Sequence, residues 1–144
     1  MSCVFVSADC TAGNVANIQM EGDTFVIDES RIDEGIKTGP DPNDYLMGAL
    51  GACTVITLHM YARRKDWPLD RAEVSLRMVP LAESMDPAQY VDSNKRWLII
   101  KELKLYGDLT LEQRQRLKEI SARCPVQRTL EAGVAVETEL LVEV

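Results

Sequence analysis

Eighteen consecutive residues, Tyr45 to Ala62, carry no formal charge, and three basic residues, Arg63-Arg64-Lys65, close the run. As a helix at about 1.5 Å per residue it would cover roughly 27 Å, slightly short of a hydrocarbon core. It is also interrupted by Thr54, Thr57 and His59. A helix enclosed by protein accounts for such a run better than a membrane span does. The sequence "DPND" opens it: Asp41 can cap, Pro42 suits the first helical position, and Asp44 falls near the positive end of the dipole. The helix is expected to end at about Lys65, where "DWPLDR" breaks it.

The remaining segments must cover that helix, and most read as strands. Cys3–Ser7, Val15–Met20 and Thr24–Asp28 are short and extended, with a turn at Glu21–Asp23 that makes a hairpin of the last two. A polar, glycine-bearing loop fills Glu29–Asp41. Glu73–Pro80 and Lys95–Tyr106 read as longer strands on either side of a loop. In "DLTLEQRQRLKEISARC", Thr110 and Gln113 have capping-box spacing, and Leu117 and Ile120 share a face. Cys124-Pro125 starts a third, short helix that Gly133 stops, and "VAVETELLVE" alternates as a final strand. The expected class is α+β, an antiparallel sheet packed on the apolar helix, as one domain over residues 1–144.

A net charge of −7 argues against nucleic acid or an anionic membrane surface as a partner, since both call for a basic patch. The first ten residues lack the basic and apolar regions of a signal peptide, so a cytoplasmic location is expected. Four cysteines without a C-x-x-C, and a single histidine, make a dedicated zinc site improbable.

Cys53 and Cys124 stand out among the four. Cys53 lies inside the apolar helix just after Gly48 and Gly51, each of which costs a helix about 0.8–1.0 kcal/mol relative to alanine. That cost makes sense where another backbone comes close, and an apolar helix this uniform makes dimerisation attractive. Cys124 is at the N-cap of the third helix, where free N–H groups and the dipole favour a thiolate, although serine or aspartate would cap better. On the residues alone, the two cysteines are either a functional pair or two unrelated buried thiols. Cys3 and Cys10 fall in an expected edge strand and are assigned no role.

Two blocks, "TGPDPNDYLMGALGACTVITLHMYARRKDWPL" and "GDLTLEQRQRLKEISARCPVQRTLEAGV", resemble the OsmC/Ohr family of osmotically induced and organic-hydroperoxide-resistance proteins. The closest subgroup has its second cysteine in a Cys-Pro-Val-x-Arg-Thr-Leu motif. The resemblance implies an intertwined homodimer, with sheets enclosing two long central helices. It also implies a thiol peroxidase acting on organic hydroperoxides, with Cys53 as the reactive cysteine and Cys124 as its resolving partner. The electron donor it implies is a dithiol such as a lipoylated protein. Such chemistry requires no metal or other cofactor.

Burial works against a thiolate, so a cation is needed beside Cys53. In the family this is an arginine from the region before the central helix, held by a glutamate ten residues ahead of the reactive cysteine. Here that position is Asn43, and the nearest carboxylate, Asp44, falls on the opposite side of the helix. Arg31 is the only arginine before Cys53 and is the expected charge partner; the competing reading is a solvated loop arginine. Gln127 stands where the subgroup often has histidine. Arg128, one turn beyond Cys124, is expected to pair with Glu131, the competing reading being that it stabilises the Cys124 thiolate. His59 is expected to pack without catalytic work, and Tyr45, Met47 and Leu50 are candidates for lining an apolar pocket, with core packing the favoured role for each. Asn43 also raises an alternative: a family member that binds a small apolar ligand or senses oxidants with little turnover.

Overall fold

The computed structural model describes residues 3–91 and 93–141. The chain forms two compact units, Met1–Gly48 and Ala49–Val144. The first holds an antiparallel sheet in the order β1-β2-β3, made of β1 (Phe5–Ser7), β2 (Val15–Met20) and β3 (Asp23–Asp28). The β2–β3 hairpin pairs Met20 with Asp23 and Val15 with Asp28, as its alternation requires. Gly22 at φ 82° supplies the left-handed residue of the turn. The polar loop that follows is folded back on itself: Asp28 Oδ1 accepts from the Ser30 N–H, and the Thr38 hydroxyl donates to the Asp28 carbonyl.

The apolar run is helix α1 (Pro42–Lys65), and its start is built as the sequence indicates. Asp41 Oδ1 accepts from the Asp44 N–H while Asp44 Oδ2 accepts from the Asp41 N–H, both at 2.9 Å, a reciprocal cap with Pro42 at the first position. Lys37 Nζ bonds the same Asp44 carboxylate. That bond, before the backbone N–H of Asp41, holds the Asp44 carboxyl below its ordinary range.

In the second unit β4 (Arg71–Pro80) and β5 (Trp97–Tyr106) form a ten-pair antiparallel ladder from Arg71↔Tyr106 to Pro80↔Trp97. Each strand begins within two residues of where its pattern places it. Ala72, Val74, Leu76 and Met78 stand opposite Leu105, Leu103, Lys101 and Ile99, so these eight share one face of the sheet. Helices α2 (Leu111–Ser121) and α3 (Pro125–Ala132) follow. The Thr110–Gln113 capping box is fully formed. The core joins Leu58 and Tyr61 of α1 to Leu109, Leu117 and Ile120, with Leu103 and Leu105 packed against them. Each fully buried leucine in such a cluster contributes about 1.5–3 kcal/mol.

Three expectations are corrected here. Residues 134–141 form no strand; only the last two residues of the expected element lie outside the described ones. Alternation tells which side chains would share a face but does not supply an edge to pair with. Cys10 lies in a 3-10 turn, Cys10–Ala12, and Cys3 precedes β1.

The third concerns the two helix glycines, which differ. A Cβ on Gly51 would meet Leu76 Cδ1 at 2.9 Å and Val74 Cγ1 at 3.4 Å, so β4 packs tightly there; at Gly48 a Cβ meets nothing within 4 Å. Gly48→Ala is therefore expected to stabilise the protein by about 0.8–1.0 kcal/mol. Gly51→Val should cost about 1–3 kcal/mol through overpacking, since it adds an isopropyl group against Leu76 and Val74. Urea midpoints of the two variants test this; a loss at Gly48 would show that another backbone closes on that position.

Candidate functional site

Cys53 sits near the middle of α1, two residues beyond Gly51, and is half-buried; Cys124, seventy-one positions later, is fully buried, and both are free thiols. Cys124 has the extended backbone (φ −61°, ψ 141°) that Pro125 imposes on the residue before it, and this places it as the N-cap of α3. Its Sγ accepts from the Gln127 N–H at 3.4 Å, the bond that serine would make in an ordinary cap.

Thr54, next to Cys53 and fully buried, links the two segments. Its hydroxyl donates to the Leu50 carbonyl at 2.8 Å, and its Oγ1 lies 3.8 Å from Cys124 Sγ. A hydroxyl has one proton, and here the Leu50 carbonyl takes it. In the Thr54 contact the Cys124 S–H is thus the donor.

Lys101 completes the group. Its ammonium donates to Thr54 Oγ1 at 3.2 Å and to the Ser121 carbonyl at 3.0 Å. Burial pushes the Lys101 ammonium below its ordinary value, while Cys124, then Glu131, then Cys53 act in the opposite direction. A cation from β5, a hydroxyl from α1 and a thiol from the α2–α3 junction thus meet in the second unit.

A cavity of about 690 Å³ opens beside them, lined by Leu50, Met78, Ile99, Leu130 and the polar groups of Lys101 and Gln127, among others. The Gln127 amide is oriented by its donation to Glu131 Oε1 at 2.6 Å, because a carboxylate can only accept. Its own Oε1 is buried and has no hydrogen-bond partner among the described residues.

The other marked residues fall as follows. Arg31 Nε bonds Glu34 Oε2 at 2.7 Å in the first unit, with both side chains more than half exposed. Asp44 belongs to the α1 cap. Asn43 is exposed and His59 half-buried. Arg128 is not paired with Glu131 among the described ion pairs, contrary to expectation; the Glu131 carboxylate accepts from the Gln127 amide instead. Leu50 lines the cavity, whereas Tyr45 and Met47 belong to the first unit.

Lys101 is absent from the residues that the sequence analysis marks, and Thr54 appears there only as an interruption of the apolar run. The signal for Lys101 is nevertheless present in "WLIIKELKLY". Trp97, Ile99, Leu103 and Leu105 share one face of β5, and Lys101 is the single charge among them. Thr54 carries no comparable signal, since a threonine in an apolar helix is unremarkable until its neighbours are known.

The family model described as OsmC-like protein matches residues 34–139. Among solved structures, the fold is similar to an OsmC-like protein from Mycoplasma pneumoniae, at TM-score 0.68 and 16% identity over 91% of this chain and 87% of that one. It is also similar to an organic hydroperoxide resistance protein OsmC from Legionella pneumophila, at TM-score 0.63 and 12% identity, covering 90% and 88%. The organic hydroperoxide resistance protein OhrB of Bacillus subtilis gives TM-score 0.57 and 18% identity, covering 90% and 89%. No curated protein matches by sequence.

Proposed function

Because the chain belongs to the OsmC-like protein family, we propose that it is a thiol peroxidase that reduces organic hydroperoxides to alcohols. In this reading the Cys53 thiolate attacks the terminal peroxide oxygen, the O–O bond breaks, and the alkoxide takes a proton and leaves as the alcohol. Cys53 is then a sulfenic acid. Cys124 attacks its sulfur, the S–O bond breaks, and water leaves as the Cys53–Cys124 disulfide forms. A dithiol, such as a lipoylated protein, returns both thiols by exchange.

One observation carries the reading: Cys124 Sγ stands 3.8 Å from the hydroxyl of Thr54, the residue adjoining Cys53, although the two segments are seventy positions apart. The cavity lined by Leu50, Met78, Ile99 and Leu130 suits an apolar peroxide, and two structural neighbours carry hydroperoxide resistance in their names. Arg31 from a partner chain remains our candidate for the charge beside Cys53.

A homodimer is part of the proposal. Ile56 and Met60 of α1 are 58% and 64% exposed, an apolar stripe that a second copy would cover. The cytoplasm, where the thiols start reduced, is the compartment that suits this chemistry.

Asn43, exposed and without a carboxylate, favours one second reading: a family member that binds a small apolar molecule, or senses oxidants, and turns over little. The two readings separate when reduced protein meets one equivalent of cumene hydroperoxide. The peroxidase loses two thiols per chain within seconds, counted with a thiol reagent under denaturing quench. Loss over many minutes instead would favour the binder.

A further inference from the structure

We propose that Lys101 is a positioning residue for the resolving step, placed to steady the negative charge on Cys124 as it closes the disulfide; the inference rests on the peroxidase reading above. The placement of Lys101 is the starting point. It sits on the helix-facing side of β5, opposite Leu76 in the ladder and in line with Ile99 and Leu103. Burying part of an ammonium among such neighbours is unfavourable, and methionine in its place would pack without that penalty. Apolar packing does not call for a charge there, although the ammonium also bonds the Ser121 carbonyl at the end of α2.

What the ammonium touches supplies the reason. Its two bonds go to Thr54 Oγ1 and the Ser121 carbonyl, neither of which is an anion. It is therefore a cation hydrogen-bonded to no anion, one hydroxyl removed from Cys124 Sγ. The titratable groups that act on it are the thiols of Cys124 and Cys53 and the carboxylate of Glu131 on α3. From β4 it meets Leu76 across the ladder, and from α2 a carbonyl, so no other charge is described at its contacts.

When Cys124 loses its proton, its S–H bond to Thr54 is gone, and the sulfur needs donors. The Gln127 N–H is already in place at 3.4 Å. The Thr54 hydroxyl can turn from the Leu50 carbonyl toward sulfur, and Lys101, bonded to the same oxygen, steadies the negative charge. The thiolate then attacks the Cys53 sulfenic sulfur. An S–S bond forms, the S–O bond breaks, and the hydroxide leaves as water with the proton that Cys124 gave up.

The test uses two readouts. In protein with Cys3, Cys10 and Cys53 replaced by serine, Cys124 is the one thiol, and its ionisation is followed by thiolate absorbance at about 240 nm. Lys101→Met should raise the midpoint by about one pH unit, the lower end of what a close opposite charge does. In protein with all four cysteines, the same substitution should slow disulfide closure at neutral pH about threefold, a roughly tenfold smaller thiolate fraction being partly offset by the greater nucleophilicity of a more basic thiolate, with dimedone-trapped sulfenic acid building up meanwhile. Lys101→Arg should restore both.

An unmoved ionisation midpoint, or wild-type closure despite a shifted one, overturns the proposal. Lys101→Gln keeps it falsifiable if the methionine variant does not fold. Should wild-type protein fail to lose thiols to hydroperoxide at all, the peroxidase reading falls, and the Cys124 midpoint alone then decides whether Lys101 acts on it.

Discussion

Cys53→Ser is expected to lower hydroperoxide consumption by at least roughly 10³-fold, the scale of removing a covalent nucleophile. A serine hydroxyl is not ionised near neutral pH, and its oxygen cannot accept the peroxide oxygen as sulfur does. The substitution is nearly isosteric at a half-buried site that closes no part of the core cluster, so the folded state should persist. Cys124→Ser should behave differently. It should still consume one equivalent, stop at the Cys53 sulfenic acid, and lose steady-state turnover with a dithiol. Peroxide remaining, measured by ferric–dye colorimetry with excess dithiol, separates the two. Consumption by Cys53→Ser at the wild-type rate would move the chemistry off this residue.

The largest stability effect is expected at Gly107, between β5 and α2. Its φ of 139° is one that side chains rarely adopt, and a Cβ there would overlap the Pro68 carbonyl oxygen and lie 3.1 Å from the Asp70 nitrogen. Both obstacles are backbone, so no rotamer change relieves them. The same corner is tied by the Gly107 carbonyl, which accepts from Leu109 N–H and from Arg114 Nη2, both at 2.9 Å. Opening it displaces α2, which carries Leu117 and Ile120 into the core and leads directly to Cys124.

Gly107→Ala should therefore cost about 3 kcal/mol or more, backbone strain and steric overlap acting together. Gly133→Ala is the control. Its φ is 83° but a Cβ there meets nothing within 4 Å, so strain alone should cost about 1 kcal/mol. Urea unfolding compares the two; equal midpoints would show that the Pro68 corner yields more readily than its geometry implies.

Local rules were legible wherever the information is local. The hairpin, the Asp41–Asp44 cap, the Thr110–Gln113 box and the Cys124-Pro125 start of α3 each need only residues within a few positions of one another. What was not legible depends on partners distant in the chain. Gly48 and Gly51 look alike in sequence, but only Gly51 has Leu76 against it. Arg128 and Gln127 are both within a helix turn of Glu131, and the bond is made by Gln127. Lys101 passes as an ordinary polar residue of a strand until its parity with Ile99 and Leu103 is noticed, and its role needs Thr54 and Ser121 beside it.

The segment 134–141 has a consequence of its own. Val134, Val136 and Leu140 alternate with Ala135, Glu137 and Glu139, and these valines and the leucine are largely exposed. A free sticky ribbon invites identical ribbons to stack, the beginning of a fibril. Stacked in register, however, each copy would set Glu137 over Glu137 and Glu139 over Glu139, and the repulsion grows with every layer added. The two glutamates thus leave the ribbon free to join a dissimilar edge while discouraging endless self-pairing.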